Sequence, residues 1–101
     1  MIRARLSSRA RRDLLEATRW IAADNPSAAE ALREAVDKAA RQIASHPLCG
    51  FVRPEIVEPP YRFIALTGFP YVLIYDPDRE PPLILRLLHG ARDLPDILRH
   101  S

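Results

Sequence analysis

The spacing of apolar positions changes along this chain, and each change marks the boundary of an element. Ile2, Ala4 and Leu6 alternate with Arg3 and Arg5, the period of two that a strand with one buried face produces. After Ser7 and Ser8, either of which can cap a helix, the period lengthens. Ala10, Leu14, Ala17 and Ile21 step by three and four and so line one helical face. Leu15 and Trp20 are expected to widen that face. Asp24, Asn25 and Pro26 break the pattern and restart it, since Asn caps well and Pro fits the first helical position, where its missing N–H is not needed. Ala29, Leu32, Val36, Ala39 and Ile43 then predict a second helix, with Glu34–Lys38 and Asp37–Arg41 as i,i+4 pairs on its outer side. Its many alanines allow close packing.

Pro47 disfavours helical geometry at His46, so the second helix ends near Ser45, and residues 47–60 read as a loop. Three strand signals follow, Tyr61–Leu66, Tyr71–Tyr75 and Leu83–His89, separated by Gly68, by Asp76–Asp78 and by Pro81–Pro82. Connections this short make an antiparallel meander. The order is β-α-α-β-β-β with a short C-terminal helix from Leu94 to Arg99. The class is α+β: an N-terminal strand, then a helical hairpin packed on one face of a small antiparallel sheet. At 101 residues the chain fits one domain, 1–101, without internal repeats or low-complexity segments.

Composition agrees with an ordinary globular domain, at 48% apolar and 28% charged residues. The net charge is only +2, but its distribution is uneven: Arg3, Arg5, Arg9, Arg11 and Arg12 all precede the first acid, Asp13. Fourteen of the fifteen cations are arginine, which favours bidentate contact with carboxylates or phosphates. An acidic partner protein and a nucleic acid both fit that bias. The single Cys49 excludes an internal disulfide. Neither a secretory pattern nor an apolar run of about 18 residues is present, so a cytoplasmic protein with no membrane contact is expected. His46 and Cys49 have a metal-ligand spacing but no second pair to complete a site, so neither a metal nor a small-molecule cofactor is expected.

The meander carries the candidate chemistry. Period two puts Arg62, Ile64 and Leu66 on one side of its first strand, and Ile84, Arg86 and Leu88 on one side of its last, with His89 on the other. Two readings of Arg62 and Arg86 stay open. Their methylenes can cover apolar neighbours while the guanidinium groups stay in water, or they can cluster on a sheet face to grip phosphate or a partner's carboxylates. His89, at a strand end before the turn residue Gly90, is a candidate acid or base, although a lone histidine is more often structural. Asp93 reads as a helix cap or an arginine's partner. Tyr61, Phe63, Tyr71 and Tyr75 could stack on bases, but aromatic strand residues usually pack.

Taken together, "RARLSSRARRDLLEATRWIA", the capped second helix, the Pro–x–x–Gly loop at 47–50, "YRFIAL", "YVLIYDP" and "LILRLLHGARD" resemble the ParE/RelE superfamily of toxin–antitoxin toxins over nearly the whole chain. The Arg62 strand, the Tyr71–Tyr75 strand and the ending His89, Gly90, Arg92, Asp93 look more like the ParE branch. The resemblance implies a helical hairpin on a small sheet and a ParD-like antitoxin in a hetero-oligomer with the toxin. For the ParE branch it implies DNA gyrase as target, trapped on cleaved DNA without hydrolysis by the toxin. Arg62, Ile64, Ile84, Arg86 and Arg92 are then the expected partner-binding residues. The RelE branch is the alternative, a ribosome-dependent mRNA endoribonuclease, for which Arg62, Arg86 and His89 would be the catalytic candidates. Here the only lysine sits on the second helix, and Gly90 stands where several of those enzymes carry a tyrosine.

Overall fold

The computed structural model describes residues 2–55 and 57–93. Its elements are β1 (Arg5–Leu6), α1 (Ser8–Ala22), α2 (Pro26–Ser45), β2 (Arg62–Ala65), β3 (Tyr71–Asp76) and β4 (Leu83–His89). Helical backbone resumes at residues 90–93, while the expected turn from Leu94 to Arg99 lies outside the described residues. The strands form one sheet in the order β1-β4-β3-β2, antiparallel through β4, β3 and β2, with β1 added parallel to β4. Among the described residues, no helix is long and apolar enough to cross a membrane.

Local chemistry starts each helix where the pattern places it. Ser7 caps α1, its Oγ accepting from the Ala10 N–H at 3.0 Å. Asn25 caps α2 in the same way through Ala28, and Pro26 occupies the first turn. The α2 helix stops at His46, ahead of Pro47. Asp37–Arg41 forms as an ion pair, and Asp37 also takes Arg3. Glu34–Lys38 is not among the ion pairs of the described residues.

One apolar cluster joins both helical stripes to one sheet face, with Ala10 and Ala17 from α1, Leu32, Val36 and Ile43 from α2, and Leu73, Tyr75, Ile84 and Leu87 from the strands. Tyr71 and Tyr75 are buried in it, as packing rather than as a stacking platform. Two expectations for α1 fail. Leu15 and Trp20 do not widen the buried face but stand 44% and 77% exposed, because the apolar stripe alone already fills the narrow contact with α2 and β4.

The sheet also departs from strict period two. Tyr75 faces Ile84, yet Ile74 faces Arg86, so Leu85 is an extra residue, a β-bulge. Directly opposed residues share a face. Ile84 therefore lies on the core face with Tyr75, whereas Arg86 and Leu88 lie on the other with Ile74 and Val72. Arg62 faces Tyr75 and so shares the core side. The expected cluster of Arg62 and Arg86 on one outward face does not form, since the bulge turns Arg86 over. Nor is that outward face openly solvated, because Ile74 and Leu88 are each at least 96% buried.

Candidate functional site

With only two residues, β1 leaves the outer edge of β4 without a strand partner beyond Ile84 among the described residues. Polar groups at the start of α1 take over. Ser7 Oγ donates to the Leu85 carbonyl at 2.9 Å, and the Leu87 N–H donates to Asp13 Oδ2 at 3.1 Å. That carboxylate also accepts from Arg86 Nε at 2.8 Å and Nη2 at 3.4 Å, with Arg9 Nε 3.4 Å away. The Asp13 side chain is 9% exposed and that of Arg86 34%. A carboxylate this enclosed needs its cations, because desolvation alone would make the charge costly. Arg86 is thus held by α1 rather than projecting freely.

Beside this pair runs an open cleft between α1, the end of β4 and the turn at 90–93. Arg9, Glu16, Trp20, Arg86, Leu88 and Arg92 are in its walls. Three arginines therefore surround one exposed indole. Asp13, Glu16 and Asp93 share the walls, and Asp13 and Asp93 pair with the arginines, so the arrangement suits a partly apolar segment anchored on the indole.

His89 is committed to the chain that follows it. Its Nδ1 accepts the Arg92 N–H at 3.1 Å, and its own N–H donates to Asp93 Oδ2 at 2.7 Å, a reciprocal cap for the helical turn. The ring stands edge-on to Tyr71, with centroids 5.3 Å apart. Partial burial pushes the Asp93 carboxyl up, but the Arg92 guanidinium and the His89 N–H outweigh it and hold the group below the usual carboxylate value. The Gly90 N–H donates to the Pro70 carbonyl at 2.8 Å, and a Cβ at this position would meet nothing nearer than 3.7 Å, so the contact does not depend on glycine.

Arg62 and Tyr75 work on a different part of the molecule. Arg62 Nη1 donates to the Gly50 carbonyl at 2.9 Å and the Leu48 carbonyl at 3.3 Å. The Tyr75 hydroxyl donates to the Pro47 carbonyl at 2.7 Å and accepts the Gly50 N–H at 2.8 Å. Burial, reinforced by the Cys49 thiol nearby, pushes the phenol up to about 12. Together the two side chains close the turn that follows α2.

Of the expected partner-binding residues, the structure brings Arg86 and Arg92 together in the cleft. Arg62 is elsewhere, fastening the 47–50 turn. Ile64 is half-buried against the core and borders a separate groove beside α2. Ile84 has no exposed surface at all, because the bulge places it in the core. Sequence reading missed Arg9, Asp13, Glu16 and Trp20. A signal for them exists: they follow one another by four, three and four, a second helical stripe beside the apolar one.

A family model described as ParE toxin of type II toxin-antitoxin system, parDE, matches residues 4–94. Among solved structures, one titled "Chromosomal ParDE TA system from P. aeruginosa" is similar at a TM-score of 0.72 and 19% sequence identity, over 88% of this chain and 96% of that one. At that identity the likeness speaks to the fold alone. No curated protein matches the chain.

Proposed function

The chain belongs to the ParE toxin family of type II toxin–antitoxin systems, and from that premise we propose that it poisons DNA gyrase and is neutralised by a cognate ParD-like antitoxin in a hetero-oligomer. The observation that carries the reading is the family match, which spans residues 4–94 and so takes in both helices and all four strands. The charged cleft supports the antitoxin half of it. The exposed Trp20 indole suits an amphipathic segment as its anchor, and the cleft's arginines are matched in its walls by Asp13, Glu16 and Asp93, so the apolar side of that segment carries the contact.

The ribonuclease alternative asks Arg62, Arg86 and His89 to surround one phosphate, as general acid–base and charge-stabilising groups must. Their placement weighs against it. Arg62 on β2 and His89 on β4 face Tyr75 and Tyr71 from opposite sides of β3, which puts them roughly 13 Å apart along the strands and roughly 10 Å apart across them. Arg86 is on the opposite face and is paired with Asp13. His89 Nδ1 is occupied by the Arg92 N–H.

The deciding experiment adds purified protein to gyrase and measures supercoiling and trapped cleaved DNA, alone and with antitoxin. Supercoiling should stop, cleaved DNA should accumulate, and antitoxin should reverse both. Unaffected gyrase together with ribosome-dependent mRNA cleavage would transfer the chain to the alternative activity.

A further inference from the structure

On another side of α1 from the cleft, β1, α1 and α2 converge around a shallow basin whose walls hold Arg3, Arg5, Arg11 and Arg33 and, among the described residues, a single carboxylate, Asp37. That carboxylate is already shared between Arg3 and Arg41. Arg33 has only a 4.0 Å contact with Glu30, both side chains being more than half exposed. Among the described residues, Arg5 and Arg11 form no ion pair, although Arg11 Nε reaches the Leu6 carbonyl at 3.3 Å. The basin is thus strongly cationic, and its cations are solvent-facing.

Fold stability does not call for this arrangement. The first turn of α1 contains no acid, although acids are the residues favoured there, and Arg9, Arg11 and Arg12 stand at the positive end of the helix dipole instead. The floor of the basin is apolar: Ala4, Val36 and Ala40 are buried, and Leu6 and Leu14 are half-buried against the core. Among the described residues, the exposed large apolar side chains other than Ile2 lie elsewhere, so the basin offers few of the desolvated anchors on which protein interfaces depend. It lacks exposed aromatics as well, and single-stranded nucleic acids are usually held by stacking on such rings. What remains is a set of planar, always-charged forks, the chemistry that contacts a phosphate backbone without reading sequence.

We propose that this basin grips the phosphate backbone of duplex DNA through Arg5, Arg11 and Arg33, with Arg3 at its edge. The surface is independent of the antitoxin cleft and of whether gyrase is the target, so its test needs neither.

The test titrates the full chain against a fluorescently labelled DNA duplex and follows anisotropy as a function of salt. Three phosphate contacts give a log–log slope of about −2.7, which weakens binding roughly forty-fold between about 50 and 200 mM salt. The variant R5Q/R11Q/R33Q should lose most of that binding and most of that slope. Arg53→Gln, in the loop flanking β2 at the opposite sheet edge, should leave both unchanged. Should the triple variant fail to fold, the single variants carry the test, each lowering the slope by about 0.9. The proposal is overturned by absence of binding at the lowest salt, by equal weakening in Arg53→Gln, by unchanged binding in the triple variant, or by tighter binding of single strands. Duplex RNA bound as tightly as duplex DNA would also overturn it.

Discussion

Asp13 on α1 and Arg86 on β4, 73 positions apart in sequence, meet at 2.8 Å through a carboxylate oxygen that also accepts the Leu87 N–H. One side chain therefore neutralises an arginine, closes a strand edge and sets one wall of the cleft. Asp13→Ala should destabilise the fold by about 2–4 kcal/mol, since an arginine and a strand N–H lose their shared acceptor. Asp13→Asn keeps an oxygen for Leu87 and should cost less. Urea unfolding checks both, and an unchanged midpoint in Asp13→Ala would mean that the edge is secured by other groups.

Trp20 separates binding from folding. Because its side chain is exposed, Trp20→Ala should leave thermal stability almost unchanged. If the cleft seats the antitoxin, the same substitution should weaken the complex by roughly thirty-fold, the scale of an aromatic hot spot. Calorimetric titration measures it, and wild-type affinity in the variant would move the antitoxin off this cleft.

The Tyr75 phenol predicts an alkaline transition. The folded protein keeps this proton up to about 12, whereas the unfolded chain releases it near 10. Between those values the folded state binds the extra proton, so stability falls as pH rises, by up to about 1.4 kcal/mol per pH unit. Tyr75→Phe should cost about 1–3 kcal/mol at neutral pH through its lost hydrogen bonds. It should also flatten the alkaline slope. Identical slopes in the two proteins would exclude Tyr75 as their source.

Gly50 has no room for a side chain. A Cβ there would stand 2.7 Å from the Tyr75 ring edge and hydroxyl and 2.8 Å from the Phe63 carbonyl oxygen. Gly50→Ala should therefore cost about 1–3 kcal/mol by forcing the turn off Tyr75. Pairing it with Tyr75→Phe should cost less than the sum of the single changes, because both disturb one contact. Strict additivity in urea unfolding would contradict the shared clamp.

Acid should loosen the C-terminal turn. Asp93 titrates below its ordinary 3.8 in the folded protein, so its contribution is complete above that value and disappears as pH falls through the lower folded value. The stability difference between wild type and Asp93→Asn should follow that course. A difference constant down to the most acid pH would show that the carboxylate's charge contributes nothing.

Much of this fold is legible from spacing, because the information is local. Ser7 and Asn25 cap helices through groups three residues away, and the α2 stripe repeats at the helical period whatever it packs on. Strand existence follows from the same kind of evidence within each segment, and nearly the whole chain bears the family's pattern. The facing of Arg86 does not follow, since it depends on a bulge that exists only relative to β3. Nor does the employment of Arg62, whose acceptors are backbone carbonyls of a loop that carry no sequence signature. The short β1 is decisive for the site: by ending at Leu6 it leaves β4 an open edge, and Asp13 becomes an edge cap rather than one more surface acid. Periodicity determined which elements form and which residues are apolar within them. Only the three-dimensional register, a property of two strands and a helix at once, decided which arginines meet.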